Sequence, residues 1–242
     1  MQNLILVTSS NRGAEKHTAR LFAALEARGA AHVKQDGSPD VAFARCMALT
    51  AACGVLRARP ERSVVVMMDD DMVCPLETVD ELARRAIDSG KACSAVYATQ
   101  SGHLAATRWK VNGEQRRDVD GRMLWLVGLG LVAIPRELLL EADEALPKFT
   151  YRGQVLTAFC GSFAEDGEWW GEDYDLSRNL GGVRLEPLGV GHIKKTPLWP
   201  DEETLQLIAS ESGLPPEDDA SHVRHLDEMF PGEEAPLPRV SG

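Results

Sequence analysis

The segment Ser63-Val64-Val65-Val66-Met67-Met68 runs straight into Asp69-Asp70-Asp71, and no other feature of the chain restricts its fold as much. A short valine-rich apolar run reads as a buried strand, so three carboxylates stand at a strand tip. Side chains alternate along a strand, which predicts that Asp69 and Asp71 share one side and that Asp70 faces the other. Two like charges placed together repel unless a metal ion or an arginine lies between them. Aspartate oxygens are hard ligands suited to magnesium or manganese, and such an ion can hold the phosphates of a substrate. A solvated acidic turn that merely ends the strand is the competing reading.

Around this strand, apolar runs and helical patterns alternate in the way that builds a parallel sheet. Leu4 to Thr8 reads as a first strand, followed by the capping-rich loop Ser9-Ser10-Asn11-Arg12-Gly13 and a helix from about Ala14 to Arg28 that Gly29 ends. Pro39 opens a second helix running to about Arg57; after the aspartates a third runs from Pro75 to Ser89, stopped by Gly90, and Ala92 to Thr99 is again a strand. The expected class is α/β with a doubly wound, mostly parallel, Rossmann-like sheet, where ligands gather beyond the carboxyl ends of the strands. The second helix carries Arg45 on its apolar stripe, between Val41 and Ala48. Either its stem packs while its head reaches water, or its guanidinium turns toward a nucleotide or its phosphates.

Past Thr99 the pattern changes to hairpins. Asn112-Gly113 and Asp120-Gly121 are tight-turn dipeptides separating Ala105 to Val111, Gln115 to Val119 and Met123 to Val127. Gly128-Leu129-Gly130 leads into the strand Leu131 to Ile134 and a helix begun by Pro135. Glycines there allow close packing or the approach of a ligand. Trp169-Trp170 precede Gly171-Glu172-Asp173-Tyr174-Asp175, where acids suit the positive end of a helix and the rings offer either a platform for sugars or bases or simple core packing. The apolar strand Val183 to Val190 leads to Gly191-His192-Ile193-Lys194-Lys195, and His192 near the aspartates supplies a nitrogen ligand that favours manganese.

Composition sets the outer bounds. At 242 residues the chain suits one large domain with or without an appendage. The start, Met1 to Val7, shows no basic region or cleavage site of a signal peptide. No stretch is expected to reach the roughly 18 apolar residues that span a bilayer. Five scattered cysteines without C-x-x-C spacing argue against a disulfide framework or zinc knuckle and for a reducing cytoplasm. The net charge of −11 is uneven: Asp201 to Gly242 holds eleven acids against Arg224 and Arg239, leaving about −2 for the first 200 residues. With five prolines as well, that stretch reads as a helix near Glu202 to Ser210 followed by an extended acidic tail. Arg108, Lys110, Arg116, Arg117 and Arg122 cluster around the hairpins and read as solvated turns, not as a nucleic-acid patch.

In order along the chain, these features resemble the nucleotide-sugar-dependent glycosyltransferases of the GT-A fold, especially the inverting group called family two. The D-x-D motif of that fold is similar to Asp69 and Asp71. The helix motif A-R-N-x-A-L resembles Ala44-Arg45-Cys46-Met47-Ala48-Leu49, with cysteine in place of asparagine. The glycine-rich acceptor-side strand resembles Gly128 to Pro135, the E-D motif Glu172-Asp173, and the late metal-binding histidine His192. The likeness spans residues 1–198, with residues 199–242 as an acidic, proline-rich extension. Two motifs depart from the pattern. Thr8-Ser9-Ser10-Asn11 stands where a P-x-Y-N-type segment is usual, and no Q-x-x-R-W motif follows the E-D helix, which argues against a processive synthase.

The resemblance implies a donor sugar linked to a nucleoside diphosphate, UDP being expected, and a Mn2+ or Mg2+ cofactor held by Asp71 with Asp69 and His192. It implies donor contacts from Thr8, Ser10, Asn11, Arg45, Asp69, Asp70, Lys194 and Lys195, and acceptor contacts from Gly130, Trp169 and Trp170. Asp173 is the expected general base and Glu172 its neighbour, with inversion at the anomeric carbon. The acceptor is open among a glycan, a protein, a lipid, a small molecule and a modified nucleic acid. Two other classes stay in view: a nucleotidyltransferase, although Ser9 to Gly13 lacks the usual glycine-rich basic phosphate loop, and a non-catalytic sugar-nucleotide binding module.

Overall fold

The computed structural model describes residues 3–10, 13–36, 38, 40–99, 103–165, 168–193, 197–198 and 202–212. The first half contains β1 (Leu4–Ser10), α1 (Lys16–Ala27), β2 (Ala31–Asp36), α2 (Val41–Ala58), β3 (Val64–Met68), β4 (Met72–Val73), α3 (Leu76–Ser89) and β5 (Cys93–Val96). Four short strands follow, β6 (Ala106–Arg108), β7 (Lys110–Val111), β8 (Glu114–Gln115) and β9 (Trp125–Val127), then β10 (Leu131–Pro135) and α4 (Arg136–Ala145). The chain continues through β11 (Lys148–Tyr151), β12 (Gln154–Thr157), β13 (Phe163–Glu165), β14 (Glu168–Trp170), α5 (Glu172–Asn179), β15 (Arg184–Gly189), β16 (Gly191–Ile193), β17 (Pro197–Leu198) and α6 (Glu202–Ser212).

Six strands form the central sheet in the order β15-β5-β10-β3-β1-β2. Pairings of β1 with β2 and β3, and of β15 with β5, are parallel, whereas β10 runs antiparallel between β3 and β5. The class is therefore α/β, a doubly wound and mostly parallel sheet with added antiparallel hairpins. Strand alternation divides the core in two. Leu4, Leu6, Val64, Val66 and Leu131 meet Leu21, Leu25, Val79 and Leu82 of α1 and α3. Ile5, Val7, Val65, Val132 and Ile134 meet Leu49, Ala52 and Leu56 of α2, Leu139 of α4, Leu176 of α5 and Ile208 of α6. Each such valine, leucine or isoleucine contributes about 1.5–3 kcal/mol by leaving water.

Local signals explain the boundaries. Gly29 and Gly90 take positive φ just past α1 and α3, the conformation that stops a helix and that glycine adopts freely. Asp40 caps α2 by accepting a hydrogen bond from the Phe43 N–H; Pro39 lies outside the described residues. Asn112 and Gly113 both have positive φ between β7 and β8, as a two-residue primed turn requires. The strand β2, AHVKQD, has no apolar pattern to announce it, because it is a polar edge strand half open to solvent. The hairpins β11–β12 and β13–β14 likewise match no strand expected from the sequence. Between Arg117 and Val119 the expected strand reduces to a single bridge, Arg117 to Met123.

One expectation needs correction. Helix α2 is 18 residues long with a mean hydropathy of 1.5, so one segment does reach the length and composition of a membrane span. It packs Ala44, Leu49, Ala52, Cys53 and Leu56 against the sheet, which accounts for its apolar character as a core helix. Two basic residues of the hairpin region are used within the fold: Arg108 pairs with Glu211, and Arg122 with Glu186.

Candidate functional site

The carboxyl ends of β1, β3 and β5 lie at one edge of the sheet, and the antiparallel β10 brings its amino end there too. A cavity of about 1050 Å³ opens at this edge, walled by Ser9 and Ser10, Asp69 to Asp71, Tyr97 and Thr99, Gly128, and Asp173 and Tyr174. Arg45 reaches it from α2 and His192 from β16. This is the crevice where an open α/β sheet collects ligands.

All three aspartates of the strand tip face this cavity. The expected alternation fails at Asp70 because β3 ends at Met68 and the chain turns before β4 begins. Asp70 accepts a hydrogen bond from the Ser10 hydroxyl. Asp71 is 5% exposed, and its Oδ2 lies 3.2 Å from Nε2 of His192. Sheet pairing brings these two together: His192 is opposite Met72 and Gly191 opposite Val73, while the Ile193 N–H donates to the Asp71 carbonyl at 2.6 Å. On its other side His192 has Nδ1 at 3.3 Å from the Ala98 carbonyl. A neutral imidazole has one donor and one acceptor nitrogen. Both ring nitrogens thus face oxygen acceptors, and a cation placed between Nε2 and Asp71 would be held by one nitrogen and one carboxylate oxygen. Among the described residues, no group of three or more His, Cys, Asp or Glu side chains is arranged to hold a metal ion.

Asp69 turns instead to Arg45, whose Nη2 donates to its Oδ1 at 3.0 Å. Nη1 of the same arginine donates to Glu172 at 2.9 Å and to Asp173. Arg45 is 4% exposed. Burial works against its charge, but Asp69, Asp173 and Glu172 outweigh burial and the guanidinium is held more firmly protonated than usual. Burial likewise raises Asp69, with Arg45 opposing and Asp71 adding. Burial also pushes Asp173 up from 3.8 to about 6, against the pull of Arg45 and with the help of Asp69 and Glu172. A carboxyl group shifted in this way within a cleft is suited to proton transfer near neutral pH.

Glu172 and Asp173 open α5 after Gly171, with Asp175 also in the first turn, where the helix dipole favours acids. Beside Arg45, the Cys46 thiol contacts the Cys160 carbonyl at 3.4 Å and the Cys160 thiol at 3.9 Å.

The remaining sequence candidates fall elsewhere. Thr8 is buried on the α1 side, its hydroxyl 2.8 Å from Nε2 of His32, and is not on the cavity wall. Gly130 packs against Tyr97. A Cβ there would stand 2.7 Å from Cζ of Tyr97, and its N–H donates to the Tyr97 hydroxyl at 3.1 Å. Trp170 stacks on Phe163 at 6.4 Å and tilts against Tyr174 at 5.3 Å, while Trp169 is 73% exposed. Among the described residues neither tryptophan lines the cavity, although Trp170 backs Tyr174, which does. Asn11, Lys194 and Lys195 lie outside the described residues.

Tyr97 was not singled out from the sequence, yet it organises this wall. Its ring sits in the space left by Gly128 and Gly130 and meets His192 edge-on at 5.8 Å. Burial raises the Tyr97 phenol, so it stays protonated. Its position at the end of a predicted strand was the available clue, since site residues gather at those ends.

No protein-family model and no curated protein matches the sequence. Among solved structures, A197 from STIV aligns with a TM-score of 0.51 and 18% identity over 79% of this chain and 86% of that one. A glycosyltransferase involved in the glycosylation of the major capsid of PBCV-1 aligns with a TM-score of 0.32 and 11% identity over 58% of this chain and 63% of that one. The 4-diphosphocytidyl-2C-methyl-D-erythritolsynthase from Anaerococcus prevotii DSM 20548 gives a TM-score of 0.37 and 10% identity over 87% and 98%. The first likeness is one of fold alone, and TM-scores as low as the other two support no inference about activity.

Proposed function

We propose that this chain is a metal-dependent glycosyltransferase that moves a sugar from a nucleoside diphosphate, UDP being expected, to an acceptor hydroxyl with inversion. The observation that carries this reading is the meeting of Asp71 and His192 at 3.2 Å in the same cavity as Asp173. The donor set fits a divalent ion. One carboxylate oxygen and one imidazole nitrogen face each other, and the second ring nitrogen is oriented by a backbone carbonyl. Asp71 and His192 would hold the manganese or magnesium, which would supply Lewis-acid stabilisation of the charge on the leaving diphosphate.

The chain's own residues do the rest. Asp173 takes the proton from the acceptor hydroxyl as that oxygen attacks the anomeric carbon from the opposite face. Arg45 engages Oδ1 of Asp173, which leaves Oδ2 to meet the acceptor. Ser10 and Asp70, joined by a hydrogen bond on the cavity wall, are assigned to the donor nucleotide, as are Asn11, Lys194 and Lys195 on the sequence resemblance. Residues 1–198 make up the transferase unit in this reading, residues 199–242 form an acidic extension, and five buried unpaired cysteines favour a reducing cytoplasm.

Thermal-shift titration with UDP-, GDP-, CMP- and dTDP-linked sugars, with and without Mn2+, tests the reading. A Mn2+-dependent rise in Tm for at least one donor is expected in the native chain and is expected to vanish in Asp71→Asn. Absence of such a rise for every donor rejects it. Pyrophosphate release from a nucleoside triphosphate and a sugar phosphate would reassign the chain as a nucleotidyltransferase.

A further inference from the structure

We propose that Arg45 is a positioning residue that ties the acid at the tip of β3 to the acids opening α5, and so sets the carboxylate of Asp173 for the acceptor instead of binding a donor phosphate itself. This deepens the glycosyltransferase reading and rests on it.

The geometry leaves little of Arg45 for a phosphate. A guanidinium has five N–H donors, two on each Nη and one on Nε. Both on Nη1 are taken by Glu172 and Asp173, and one on Nη2 by Asp69. Nε is buried without a partner. A two-pronged grip on a phosphate needs a pair of adjacent donors; the pair left, one on Nη2 and the one on Nε, is closed because Nε is buried, so a phosphate would have to displace a carboxylate to obtain another.

The three acids come from segments far apart in the chain: Asp69 follows the valine strand, while Glu172 and Asp173 begin a helix more than a hundred residues later. Without the guanidinium they would repel one another in a cleft that already disfavours charge. Arg45 lets them share a wall and holds Asp173 by one oxygen. The charged and titratable groups around Asp173 are Arg45 from α2, Asp69 from the β3 tip and Glu172 from its own helix, with Tyr97 and Tyr174 as protonated phenols.

The test reads Asp173 directly by carboxyl 13C NMR titration of the full chain, assigned against Asp173→Asn, alongside transfer kinetics. In Arg45→Met the Asp173 midpoint is expected to rise by about one pH unit or more, because the opposing charge is gone. The acid limb of kcat moves with it, and donor KM changes by less than about threefold. In Arg45→Lys, which keeps the charge but loses the fork, the midpoint stays near that of the native chain while kcat falls by about tenfold. This second variant keeps the test open if Arg45→Met does not fold.

An unmoved midpoint in Arg45→Met overturns the proposal. So does a rise in donor KM with kcat and midpoint unchanged in either variant, which would make Arg45 a phosphate ligand. A shifted midpoint in a chain that transfers sugar from no donor leaves the clamp standing and removes only the glycosyltransferase reading.

Discussion

Replacing Gly130 by alanine separates a packing glycine from a ligand-facing one. The φ of Gly130 lies outside the left-handed region, so alanine costs nothing in backbone conformation and the penalty is steric. The new methyl would stand 2.7 Å from Cζ and 2.8 Å from Cε1 of Tyr97, and 3.0 Å from the Met72 methyl. Methionine can swing aside, but the Tyr97 ring is 7% exposed and backed by His192. It has to retreat by several tenths of an ångström. Overpacking of this kind costs about 1–3 kcal/mol. Tilting the ring also stretches the bond from the Gly130 N–H to the Tyr97 hydroxyl, and a buried donor left unpaired costs about 1–3 kcal/mol more. Partial relief of each puts the expected loss at about 3 kcal/mol.

Urea unfolding followed by tryptophan fluorescence measures this loss as a lower midpoint at unchanged slope. The same substitution in a Tyr97→Ala background provides the control. With the ring gone the methyl has room, so Gly130→Ala should then cost under about 0.5 kcal/mol and the two changes should be strongly coupled. Equal costs in both backgrounds, or a loss under about 0.5 kcal/mol in the native chain, would refute the steric account and return Gly130 to the acceptor side.

Three further outcomes are expected. Asp173→Asn should lower transfer by a factor of about 100 or more while donor binding, measured by calorimetry, stays within about threefold; full turnover would remove Asp173 as the base. Transfer should rise with pH through about 6 and level off above it, because burial holds Asp173 protonated below that point and a base acts only when ionised. Single-turnover rates across pH 4.5–8 check this, about tenfold being lost per unit on the acid side, and a midpoint at an ordinary carboxylate value would refute it. Glu186→Ala should destabilise the fold by about 3–5 kcal/mol, since the fully buried Glu186 accepts from Arg85 at 3.0 Å and Arg122 at 2.8 Å. Chemical denaturation reads that loss, and a change within error would mean the two arginines rehydrate freely.

Local patterns carried a good part of this description. The valine run, the glycines after α1 and α3, the Asn112-Gly113 turn and the acids at the start of α5 each act within a few residues of chain. Backbone sterics and burial periodicity are local properties, so they can be read in order from the sequence. The polar edge strand β2 gave no such signal, because its side chains are half-buried or exposed and its place depends on pairing with β1. The same holds for the β13–β14 hairpin, where Trp170 meets Phe163 of β13 and Tyr174 of α5.

What the amino-acid order determined by itself is an α/β chain with a cluster of acids at a strand tip, a second cluster at a helix start, and a histidine after a late strand. Only the folded arrangement decided which of these charges meet. It put Asp71 against His192 through the β4–β16 pairing, turned Asp69 toward Arg45 rather than toward Asp71, and gave Gly128 and Gly130 to the Tyr97 ring. The physical reason is distance: electrostatic and steric energies act over a few ångströms in space, and sequence separation says nothing about which groups come that close.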